Sequence, residues 1–141
     1  MVDDANAGLA GTILVIDDER NIRRTLRMVL EGEGATVLDA ETAEAGLELI
    51  QRSLAESEAP QPIQVVMADV LLPGMSGLEI LTAIRANPAS RDLPVMMLTA
   101  RGRDREMATR AGADRFMTKP FSNAEILAEV RAMLGRGVAR T

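Results

Sequence analysis

The sequence contains no cysteine, histidine, tryptophan or tyrosine, and only two phenylalanines. Without cysteine there is no disulfide framework and no thiolate-held metal. Without histidine the chain lacks the usual general base, the commonest metal ligand and any phosphohistidine of its own. No apolar run approaches the ~20 residues of a membrane-spanning helix. Basic blocks are missing too, and the formal net charge is −5, which argues against direct nucleic-acid binding by this chain. The opening MVDDANAGLA is acidic and small rather than basic and greasy, so it does not read as a signal peptide. These absences predict a soluble, cytoplasmic chain.

What is present is aliphatic. The 141 residues are 47% apolar, enough for one domain with a core of Val, Ile, Leu, Met and Ala. Short apolar runs read as buried strands: TILVI (12–16), ATVLD (35–39), IQVVMA (63–68), LPVMML (93–98) and DRFMT (114–118). Between them lie stripes at helical spacing: Ile22, Leu26, Val29 and Leu30; Leu47, Ile50 and Leu54; Gly77, Ile80, Leu81 and Ile84; Ile126, Val130, Met133 and Leu134.

SGLE (76–79) and SNAE (122–125) fit the capping box that opens a helix. EGEGA (31–35) and AGAD (111–114) supply glycine where a helix stops. ESEAPQP (56–62) is the longest polar linker. Five strand–helix units of this kind predict a parallel sheet covered on both faces, a doubly wound α/β fold. The helix at 102–110 has only Met107 as a large apolar side chain, so it is expected to be the least anchored. Residues 1–10 and 135–141 read as flexible ends.

Ligands of such a sheet bind beyond the carboxyl ends of its strands. Asp17, Asp18 and Glu19 follow the first run, Asp69 the third, Thr99 the fourth and Lys119 with Pro120 the fifth. Singly, each has a structural explanation: a helix cap for Asp18 or Thr99, a turn for Asp69 or Lys119, core for Phe116. Together they do not, because clustered carboxylates are costly unless a cation joins them. With no nitrogen or sulfur ligand on offer, the expected cation is Mg²⁺. An aspartate can attack phosphorus, and a lysine and a hydroxyl can hold the transferred oxygens.

The motifs ILVIDDE (13–19), DVLLPGMSGLEIL (69–81), MLTA (97–100) and GADRFMTKPF (112–121) resemble the receiver domain of bacterial two-component response regulators. The resemblance covers residues 11–134 and implies a flavodoxin-like sheet of order 2-1-3-4-5 with five helices. It implies Asp69 as phosphoacceptor, and Asp17, Asp18, Asp69 and the Leu71 backbone carbonyl as Mg²⁺ ligands. Lys119 would contact the phosphoryl group, Thr99 and Phe116 would form the switch, and Lys119–Pro120 would be cis. The helix at 102–110 would respond.

The phosphoryl donor implied is a sensor histidine kinase or a histidine phosphotransfer protein. The recipient of the signal would be a partner protein or an output domain, and a homodimer could form on activation. Arg115 stands where dimerising relatives carry a second acid. The chain is expected to be no enzyme beyond self-phosphorylation from small donors and self-dephosphorylation. A stand-alone receiver and the front piece of a longer regulator both fit.

Two rival readings share these residues. A haloacid dehalogenase-type phosphatase also uses a strand-end Asp, a Thr and a Lys. In that reading Asp17, with Glu19 two positions on, would be the nucleophile. It needs a further acid pair after the lysine, and only Glu125 and Glu129, on a helix face, follow Lys119. An interaction module that is never phosphorylated typically loses the acid pair, the acceptor or the lysine, and this sequence keeps them all.

Overall fold

The computed structural model describes residues 9–55, 62–72 and 74–135. Most of both chain ends, nearly all of the 56–62 linker and Pro73 lie outside the described residues. The elements alternate as the apolar runs require. They are β1 (Thr12–Ile16), α1 (Arg20–Gly32), β2 (Thr36–Ala40), α2 (Ala43–Ala55), β3 (Val65–Asp69), α3 (Gly77–Ala86), β4 (Val95–Thr99), α4 (Arg105–Ala111), β5 (Arg115–Thr118) and α5 (Asn123–Gly135). A single 3-10 turn, Gly102–Asp104, leads into α4.

The strands form one parallel sheet in the order β2-β1-β3-β4-β5. Side chains alternate between its faces, as the period of two demands. Ile13, Val15, Met67, Met96 and Leu98 point to one face and pack on Leu26 and Leu30 of α1 and Ile126, Val130 and Met133 of α5. Leu14, Ile16, Val66, Ala68 and Met97 point to the other, against Ala43 and Ile50 of α2, Ile80, Leu81 and Ile84 of α3 and Ala108 of α4. Central strands buried on both faces explain why their sequences are continuous apolar runs.

Both capping boxes form. Ser76 and Glu79 exchange bonds at the start of α3, and Ser122 and Glu125 do so ahead of α5. Gly112, with φ +110°, ends α4 in the left-handed conformation that glycine adopts without penalty.

Three expectations need correction. β2, β3, β4 and β5 begin one or two residues later than their apolar runs, and β2, β3 and β4 take in Ala40, Asp69 and Thr99 as their last residues. Leu54 is exposed at the end of α2. The expectation that the 102–110 segment is weakly anchored fits the structure: Met107 is 53% exposed, and Ala108 and Asp104 are the buried residues there. Leu9, read as part of a flexible end, is 1% exposed, and its N–H donates to the Glu33 carbonyl at 2.6 Å.

Candidate functional site

The strand order reverses between β1 and β3, and the carboxyl ends of these central strands open the crevice where such sheets bind ligands. Register does the gathering. Ile16 pairs with Ala68, so Asp17 and Asp69 emerge side by side. Asp69 pairs with Leu98 and Thr99 with Thr118, so Thr99 and Lys119 emerge on the neighbouring strand ends. The Lys119 N–H donates to the Thr99 carbonyl at 2.7 Å, and the Lys119–Pro120 peptide is cis.

The Lys119 ammonium reaches from the edge strand to the centre of the sheet. It donates to Asp69 Oδ2 at 2.7 Å, Asp17 Oδ2 at 2.9 Å and Glu19 Oε1 at 2.9 Å. Burial alone would lower its pKa, but the bonds to Asp69, Asp17 and Glu19 outweigh it and hold the group well above the ordinary lysine value.

The other oxygens are held as well. Asp69 Oδ1 accepts from the Leu71 N–H at 2.9 Å, and Asp17 Oδ1 from the Glu19 N–H at 2.8 Å. Arg23 donates to the Asp17 carbonyl at 2.7 Å and fixes that loop from α1.

Asp17, Asp18 and Asp69 each offer an oxygen, and the three lie within 4.8 Å of one another. Asp17 and Asp69 are buried, and Asp18 is exposed. Burial pushes the Asp17 carboxyl above its ordinary value in spite of its bonds to Lys119 and the Glu19 N–H. Its charge is therefore under-compensated. Three carboxylates, Asp17, Glu19 and Asp69, share one ammonium, and Asp18 adds a fourth negative charge beside Asp17 and Asp69. An all-oxygen set with spare negative charge and one solvent-facing member suits a hard divalent cation.

Thr99 is fully buried and its hydroxyl is engaged. It donates to Asp104 Oδ2 at 3.1 Å and accepts from the Arg101 N–H at 3.1 Å. Phe116 is half-buried on the sheet face that α4 covers, and the Arg105 guanidinium lies 5.1 Å from its ring centre. Asp17, Asp18, Asp69 and Lys119 thus meet at one end of the sheet with Thr99 at the neighbouring strand end, whereas Phe116 pairs with Met97, two residues short of that end.

The residue-by-residue reading missed the roles of Glu19 and Asp104. Glu19 stood beside an acid pair already noted, which was the available signal. Asp104 had none, being one charge among several on a polar stretch.

The model of the response regulator receiver domain matches residues 13–131. The chain belongs to this family. The receiver is 36% identical over 130 residues to the phosphate regulon transcriptional regulatory protein PhoB of Klebsiella pneumoniae, covering 91% of this chain and 53% of that one. It is 36% identical over 126 residues to the transcriptional regulatory protein CpxR of Escherichia coli K12, covering 88% and 49%. The chain thus spans about half the length of these curated relatives.

A putative response regulator from Chloroflexus aurantiacus superposes with a TM-score of 0.79 at 33% identity, covering 89% of this chain and 98% of that one. A receiver domain from Clostridium thermocellum gives 0.77 at 29%, covering 90% and 96%. Among the described residues no helix is long and apolar enough to cross a membrane.

Proposed function

We propose that this receiver takes a phosphoryl group onto Asp69 and uses the result to change the surface around Thr99, Phe116 and α4. The donor is a phosphohistidine on a sensor kinase or phosphotransfer protein, or a small acyl phosphate. The observation that carries this reading is the placement of Asp69. It is 6% exposed, ends a central strand, and lies within reach of two further acids and a lysine.

An Asp69 oxygen attacks phosphorus as the donor's bond breaks: with phosphohistidine the P–N bond breaks and the imidazole leaves and takes a proton from solvent, and with an acyl phosphate the P–O bond breaks and a carboxylate leaves. Lys119 already touches Asp69 and Asp17, so a small movement carries its charge onto the incoming phosphoryl oxygens. The Leu71 N–H keeps the carboxylate oriented. Asp17, Asp18 and Asp69, with the Leu71 carbonyl, would hold Mg²⁺, which supplies charge neutralisation during the transfer. Thr99, at the adjacent strand end, turns its hydroxyl to the phosphoryl group, and Phe116 moves into the space released.

The chain acts as a signalling module rather than as an enzyme with an external substrate, and works in the cytoplasm with its kinase. Its output passes to a partner protein or an attached domain, with or without a homodimer.

The test is incubation with acetyl phosphate and Mg²⁺, followed by intact mass. One added phosphoryl group is expected, absent from Asp69→Asn and without metal. No gain in a folded protein, with beryllofluoride also failing to bind, would refute the reading. Steady hydrolysis of a phosphate ester would favour the phosphatase instead.

A further inference from the structure

The proton that Thr99 needs for a phosphoryl oxygen is already committed. A threonine hydroxyl carries one proton, and here Asp104 Oδ2 accepts it at 3.1 Å. The acceptor is no surface carboxylate. The Asp104 side chain is 4% exposed and is held from its other side by Arg101, with Nε on Oδ2 at 3.1 Å and Nη2 on Oδ1 at 3.2 Å. A buried carboxylate is a strong hydrogen-bond acceptor, so the contact with Thr99 is a charge-assisted bond.

We infer that Asp104 is a positioning residue that holds the Thr99 hydroxyl in the unphosphorylated form and sets how readily the phosphorylated form is reached. This rests on Asp69 being the phosphoacceptor.

Two features make Asp104 a latch rather than a fixed strut. Asp104 does not depend on Thr99 for charge compensation, because the Arg101 fork stays with it when the hydroxyl turns away. Release therefore forfeits the bond to Asp104 and the one from the Arg101 N–H but leaves no bare buried charge, which keeps the two forms close enough in energy for a phosphoryl group to choose between them.

The latch also sits at a joint. Asp104 is the last residue of the 3-10 turn, and the next residue, Arg105, opens α4 and covers the Phe116 ring. Consecutive residues thus hold both switch side chains. Letting go of Thr99 loosens the turn that carries Arg105, so the strand-end event reaches the α4 surface without a long chain of contacts.

The test is beryllofluoride affinity with Mg²⁺, read from amide NMR shifts on the full chain, for the wild type and for Asp104→Ala, Thr99→Ala and the double variant. Asp104→Ala should bind about tenfold tighter than wild type, the worth of one hydrogen bond to a charged group. In the Thr99→Ala background the same change should leave affinity unaltered, since there is no hydroxyl left to release. A merely structural role would move both backgrounds equally.

Asp104→Asn keeps the volume with a weaker acceptor. It should give a smaller gain of the same sign, and serves if the alanine variant fails to fold. Equal affinity of the wild type and the Asp104 variants, or a gain that survives loss of Thr99, would overturn the latch alone. A folded wild type that binds no beryllofluoride would refute the Asp69 reading, and the latch with it.

Discussion

Lys119 Nζ lies 2.7 Å from Asp69 Oδ2, so the one ammonium of the site sits directly on the carboxylate proposed as phosphoacceptor. Lys119 is the only lysine in the sequence; every other basic side chain is arginine. The arrangement neutralises part of the acid cluster and keeps a cation beside Asp69.

That solitary lysine makes a clean pH experiment. The chain has no Cys or Tyr, so above the range of the terminal amine only Lys119 titrates before arginine. Its folded pKa is raised above the ordinary 10.5. Its contribution is therefore full below about pH 10.5 and is lost as pH rises through the folded value. Metal-free stability should fall above pH ~10.5, and Lys119→Met should lack that slope. Urea midpoints measured from pH 9 upward check this; parallel curves for the two proteins would contradict it.

Asp17 gives the opposite experiment. Burial raises its folded pKa above 3.8, so the advantage of its neutral form is present below that pH and is lost as pH rises through the folded value. Near neutrality the fold carries the cost of the charge. Asp17→Asn should therefore raise the metal-free Tm, by roughly 2–5 °C. Mg²⁺ should raise the wild-type Tm and leave the variant's unchanged. A variant that melts lower than wild type without metal would show that the bond to Lys119 outweighs the burial.

Gly77 fixes the floor of the site. Its N–H donates to the Val70 carbonyl at 2.9 Å, and a Cβ there would overlap the Asp69 carbonyl oxygen and stand 2.8 Å from Met97 Cε. Gly77→Ala should cost about 2 kcal/mol of stability by overpacking. It should also slow phosphorylation by acetyl phosphate, because the end of β3 must shift. Unchanged stability and rate would mean that α3 slides away at no cost.

Arg85 is a staple remote from the chemistry. It donates to the carbonyls of Arg91, Leu93 and Gly112 and pairs with Asp114 at 2.9 Å, tying α3 to the start of β4 and the end of α4. Arg85→Ala should destabilise by roughly 2–4 kcal/mol through the acceptors left unpaired. At temperatures where the variant is folded, it should still gain one phosphoryl group on Asp69. A loss of phosphorylation without a loss of stability would contradict the separation.

Much of this architecture is visible in the chain itself. Mostly apolar runs of five or six residues alternating with 3.6-period stripes force buried parallel strands and covering helices, because each apolar face needs a partner. SGLE and SNAE set two helix starts by local hydrogen bonding alone. Asp17, Asp18, Asp69, Thr99 and Lys119 were legible as strand-end residues because a polar side chain ending an apolar run has few other places to go.

What the sequence could not decide is which atoms meet. Met107 is the one large apolar side chain at 102–110, yet it faces solvent, because α4 begins only after a 3-10 turn and so presents Ala108 inward. Nor does spacing reveal that Lys119 spends its proton donors on Asp69, Asp17 and Glu19, or that Asp104 takes the Thr99 proton. The sequence determined the sheet, its two apolar faces and the edge where chemistry collects, since these follow from local periodicity and burial. The partners within that edge were decided by the register of three strand pairs and the rotamers of long side chains, which exist only once the chain has folded.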